Sequence, residues 1–143
     1  MIETAIAAFV VLTVMVCAIE VGRLNYYRIA LKNAVSQAAR YATTGQRMPD
    51  PNNPGQTLSR EDSIVATIQK LSVGIPVTSA QVTMTATDDS GNVVNGGGEA
   101  GDVVTISVTY NVNVVAPVFR NFFTNHQYTF TASTTFLNEE FTS

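Results

Sequence analysis

The chain has 143 residues, 45 % of them hydrophobic and only 13 % charged, with a net charge of −3 at pH 7. That charged share is about half the usual one, and its eight basic residues form no run, which excludes nucleic acid as a partner. The length suits one domain plus an appendage, and a single cysteine, Cys17, excludes an internal disulfide.

From Thr4 to Ile19 the sequence reads TAIAAFVVLTVMVCAI, with no charge and no helix breaker, and Glu3 and Glu20 bracket it. As a helix this run covers about 24 Å, against the roughly 30 Å of a hydrocarbon core. It predicts a short membrane span with Glu3 and the Val21 region near the boundaries. A secretory signal is disfavoured, because no small-residue cleavage site ends the run and the helical pattern continues beyond it. Cys17 inside it reads as a small space-filling thiol.

After Gly22 the composition changes but the helix goes on. Leu24, Tyr27, Leu31, Ala34, Val35, Ala38, Tyr41 and Ala42 recur every three or four positions and form one apolar stripe. Arg23, Arg28, Lys32, Gln37 and Arg40 fall mostly off it. Gly45 is a natural stop. One helix from Ile2 to Thr44 is therefore expected, about 65 Å long, apolar all round in its first half and amphipathic in its second. Residues 1–22 read as a transmembrane or filament-core segment, and 23–143 as a globular head that includes helix 23–45.

Residues 46–58 carry three prolines and a Pro-Gly pair, so they form a loop. Ser59 then begins a short helix over 59–73, its hydroxyl placed to accept the Asp62 N–H. Ile64, Val65, Ile68 and Leu71 give this helix an apolar face, and Gly74 and Pro76 end it. Period-two alternation follows at about 80–87, 103–115 and 127–137, which predicts three strands. A Gly/Asn/Asp-rich loop holding a minor strand at Val93-Val94 joins the first two strands, and a turn or crossover at 116–126 joins the last two. The fold class is α+β: a long N-terminal helix packed on a small antiparallel sheet.

Few residues invite chemistry. Glu3 at the outer end of an apolar helix either rests among headgroups or lies in a helical bundle, where it meets the terminal ammonium of a neighbouring copy and favours axial register. Glu20 and Arg23 are spaced for an i,i+3 contact at the membrane boundary. Tyr26, Tyr27 and Arg28 suit an interfacial belt. His126 has no second histidine or cysteine beside it and reads as a surface residue. Asp88, Asp89, Asn92 and Asp102, with Glu99, gather oxygens around glycines. They are a weak calcium candidate, since the spacing of a calcium loop is missing. No phosphate loop, nucleophile elbow or paired-carboxylate cleft stands out, so neither an enzyme nor a cofactor is expected.

The order of these features carries a resemblance. Ile2-Glu3-Thr4-Ala5, the apolar span, Ile19-Glu20-Val21-Gly22-Arg23 and Ala38-Ala39-Arg40-Tyr41-Ala42 resemble the TadE-like pilins of tight-adherence pili. The valine-rich strand after Gly101-Asp102, the Ala116-Pro117-Val118-Phe119 segment and Phe130-Thr131-Ala132-Ser133 look similar too. The resemblance implies processing by a prepilin peptidase, with either a leader already removed and Met1 the mature start or a sequence that begins late, and storage in the bacterial inner membrane. It further implies assembly with itself, and with other pilins, by the pilus machinery into an extracellular, adhesive filament. In such a filament Met1, Glu3, Ala5, Ala8, Phe9, Leu12, Val16 and Ile19 would form the subunit contacts. Arg23, Arg28, Lys32 and Arg40 follow the span, and by the positive-inside rule they would hold the head in the cytoplasm. A removed basic leader reconciles that rule with the Thr/Asn-rich, β-rich head, which suits the exterior. The alternative function is a bitopic membrane protein whose exported head binds a ligand or partner without polymerising.

Overall fold

The computed structural model describes residues 2–139, with the backbone alone at Phe119. Two compact units divide the chain: Met1–Ile29 with Tyr110–Phe130, and Ala30–Thr109 with Thr131–Ser143. Helix α1 runs unbroken over Ile2–Thr43. No proline occurs before Pro49, and the lone Gly22 costs only about 1 kcal/mol of helix propensity. Gly45 ends the helix at φ +65°, a left-handed conformation that glycine adopts without strain, and its N–H reaches the Ala42 carbonyl at 3.0 Å.

In the second unit, α1 buries Leu31, Ala34, Val35, Ala38, Ala39 and Ala42. Helix α2, Arg60–Leu71, adds Ile64 and Ile68 to the same core. Strands β1 (Val82–Thr87), β2 (Val93–Asn95), β3 (Val103–Asn113) and β4 (Gln127–Leu137) form one sheet in the order β2-β1-β3-β4. Strand β1 pairs antiparallel with β3 from Val82↔Val108 to Thr87↔Val103, and with β2 from Thr85↔Asn95 to Thr87↔Val93. Ala86, Val104, Ile106, Val108 and Ala132 point inward to the core. Each fully buried Ile or Val contributes about 1.5–3 kcal/mol. On the outer face hydroxyls meet across β3 and β4, Thr105 with Thr135 at 2.9 Å and Thr109 with Thr131 at 3.0 Å. Such pairs fix the strand register without charge.

In the first unit, Val112, Val114, Ala116 and Phe130 are buried. The outer face there continues the uncharged ladder, with Thr129 donating to Asn111 Oδ1 at 2.7 Å and Gln127 to Asn113 Oδ1 at 3.0 Å. The connection between β3 and β4 holds a four-residue helix α3, Pro117–Arg120, and a 3₁₀ turn at Thr124–His126. Asn125 and His126 take φ values of 54° and 57° in that turn.

The architecture agrees with the α+β fold expected from the sequence, and the boundaries shift for local reasons. The first strand starts at Val82 rather than near residue 80, because Ser79–Gln81 form a 3₁₀ turn in which the Gln81 side chain accepts the Thr78 N–H at 2.8 Å. Strand β3 stops at Asn113, two residues early, because the next two N–H groups leave the ladder. Val114 donates to the His126 carbonyl and Val115 to Glu20. Helix α2 stops at Leu71, where Ser72 and the left-handed Gly74 turn the chain.

Candidate assembly and boundary site

The first half of α1 is mostly apolar and exposed, with Thr13 and Cys17 half-buried. Glu3, Ala5 and Ala8 are exposed, and so are Phe9, Leu12, Val16 and Ile19, the last two at 46 % and 70 %. None of the most apolar 18-residue window is buried, and by length and composition this helix can cross a membrane. Met1, the remaining residue of the expected assembly set, lies outside the described residues. Thr13 makes its own local bond, its hydroxyl donating to the Phe9 carbonyl at 2.8 Å, so the run carries no open hydroxyl at that position.

At Glu20 the character changes abruptly. Its side chain is buried, at 6 % exposure, and Oε1 accepts Arg23 Nη2 at 2.6 Å and the Val115 N–H at 3.1 Å. Arg23 Nη2 also donates to the Asn113 carbonyl at 2.5 Å. The expected i,i+3 pair therefore exists. It binds the strand end at 113–115 to α1, and a buried carboxylate without those partners would be strongly unfavourable.

The aromatic residues divide into two kinds. Tyr26 is exposed at 55 %. Tyr27 turns inward, beneath the Arg23 guanidinium at 5.8 Å, and its ring lies 6.4 Å from Tyr110. From Tyr110 the rings continue to Phe130 at 6.2 Å, to Tyr128 at 5.9 Å and to Phe123 at 5.9 Å. These centroid spacings are those of favourable aromatic pairs. Burial raises the Tyr110 phenol above its ordinary pKa. Arg28 stays exposed and lines a shallow groove with Val21, Leu24, Asn25 and Tyr128.

The Asp88 and Asp102 oxygens named as calcium candidates are engaged in local hydrogen bonds. Asp88 Oδ1 accepts the N–H groups of Ser90 and Asn92 at 2.9 and 2.8 Å, while Oδ2 accepts Asn92 Nδ2 at 2.9 Å. Asp102 Oδ2 is taken by the Glu99 N–H at 2.7 Å. These oxygens shape their own turns, Asp89 is exposed, and among the described residues no three His, Cys, Asp or Glu side chains group as metal ligands.

A polar hub in the second unit escapes sequence reasoning. Arg60, at 8 % exposure, donates from Nη1 to the carbonyls of Gly97 and Gly98, both at 2.8 Å. From Nη2 it reaches the Ala42 carbonyl at 3.1 Å and Asn138 Oδ1. Asn138 Nδ2 in turn donates to Gly97 and Glu99. Burial lowers the Arg60 pKa from its ordinary value, yet a guanidinium remains charged. Glu61 is held below the usual carboxylate range by hydrogen bonds from its own N–H and that of Gly97, the latter at 3.1 Å. An arginine just inside a helix start, followed by a distant glycine run, is the only trace of this hub in the sequence.

Residues 1–40 match the family model described as TadE-like protein. No curated protein matches the chain, and no solved structure does.

Proposed function

We propose that this TadE-like chain is a structural subunit of an extracellular pilus-like filament rather than an enzyme. The first half of α1 holds it in the bacterial inner membrane before assembly, and then packs against copies of itself or of other pilins. One observation carries the reading: a long apolar helix run of which no residue is buried within the chain. In water such a surface is costly, at about 25 cal/mol per Å², so it needs lipid or other helices. Ala5 and Ala8 allow close approach, and Phe9, Leu12, Val16 and Ile19 supply the packing. Glu3 sets the register, because a subunit out of step leaves its carboxylate unpaired among apolar helices. A prepilin peptidase and pilus assembly proteins are the partners this reading requires, and surface adhesion is the purpose it suggests.

The Glu3→Ala variant should keep a folded head and yield far fewer filaments by electron microscopy. Unchanged filament yield would remove Glu3 from assembly. Dispersed micelles from the unsubstituted protein, under conditions where pili form, would favour the non-polymerising membrane protein instead.

A further inference from the structure

Within the first unit, the connection that follows β3 is unusually apolar at its surface. Val115, Val118 and Phe122 are 66 %, 51 % and 81 % exposed. Pro117 and Val118 line, with Phe9, Leu12, Thr13 and Val16 of α1, an apolar groove of about 330 Å³. Val16 lies one turn and Leu12 two turns before Glu20, or about 6 and 12 Å along the axis. The connection therefore reaches back beside the apolar helix, past its polar boundary, and whatever surrounds α1 at that level meets it as well.

We propose that the 115–122 connection is a second lipid contact, seated at the acyl–headgroup boundary of the bilayer beside α1. The inference rests on the membrane-anchored state proposed above. Lipid fits better than a protein groove because α1 is apolar on every side at this level, whereas docking to one partner calls for a single stripe. The charge pattern agrees. No Asp or Glu stands between Asp102 and Glu139, and the exposed Arg120 sits among the apolar tips, an arrangement that suits anionic headgroups with a snorkelling arginine. The backbone also suits a dry boundary. Arg120 N–H bonds the Ala116 carbonyl at 2.9 Å, and His126 N–H bonds that of Phe123 at 3.0 Å.

The sequence contains no tryptophan, so single Trp reporters speak for themselves. Full-length Phe9→Trp and Phe122→Trp proteins are reconstituted in phosphatidylethanolamine–phosphatidylglycerol vesicles with brominated acyl chains. Emission from Phe9→Trp should be quenched by bromines deep in the chains. Emission from Phe122→Trp should shift to the blue and be quenched by bromines near the carbonyl end. If Phe9→Trp is quenched while Phe122→Trp answers only to aqueous iodide, the lipid contact is overturned and the anchor stands. A Phe122→Trp signal shielded from both quenchers points to a second copy covering the loop, and also overturns it. If neither reporter meets bromine, the anchored state itself fails and this inference falls with it.

Discussion

Among the described residues Glu20 and Arg60 are the buried charged side chains, and each holds a distant segment in place. Glu20→Ala would strand the Val115 N–H and take the carboxylate from Arg23. The expected loss is about 1–3 kcal/mol, at the modest end because the Arg23 side chain keeps 31 % exposure and its charge stays partly solvated. Glu20→Gln keeps an oxygen for Val115 and should lose less. Denaturant midpoints in detergent micelles measure both, and an unmoved midpoint for Glu20→Ala would reduce the residue to a boundary marker. The spacing of Glu20 and Arg23 was legible because a helix makes i,i+3 neighbours predictable. Their other partners were not, since Asn113 and Val115 stand 90 and 95 positions away and only the folded chain brings them near. The oxygens gathered at Asp88 and Asp102 have a local role that spacing alone did not reveal: these short side chains bond nearby backbone N–H groups in turns.

At the scale of elements, α1 could be read almost to the residue. Its stripe from Leu31 to Ala42 follows the helical period, and its end follows from Gly45. The sheet was legible for the same reason, because Val104, Ile106 and Val108 alternate with Thr105 and Ser107. The tie between elements was not. Arg60 connects the last turn of α1, the start of α2, the glycine loop and the residue after β4 through one planar fork. Lysine cannot reproduce four bonds spread over that plane. Arg60→Lys should therefore cost about 2–4 kcal/mol, read as a lower thermal midpoint with the strands still forming at low temperature. A midpoint equal to that of the parent would show that water replaces the fork. Gly98 belongs to the same device. At φ +67° its added Cβ would come within 2.6 Å of Ala86 Cβ, so the loop needs glycine there for conformation and for room.

For the molecule as a whole, the apolar surface is concentrated where the chain begins. A protein lacking residues 1–18 should be a soluble monomer by light scattering, with β3 and β4 still protected from hydrogen exchange. Association despite the deletion would move the main apolar contact into the remainder. That remainder carries all the charged residues but Glu3, and only the outer face of β3 and β4 is an uncharged ladder of Thr, Asn and Gln. The hub around Arg60 has a temporal consequence. A ribosome delivers α1 before α2 and β4, so the Ala42 carbonyl, capped locally by Gly45, gains its second bond only with Arg60, and Arg60 waits for Asn138, 78 positions later. A half-made or clipped polypeptide thus lacks the tie that joins α1, α2 and the glycine loop, which is fastened only when the residue after β4 arrives.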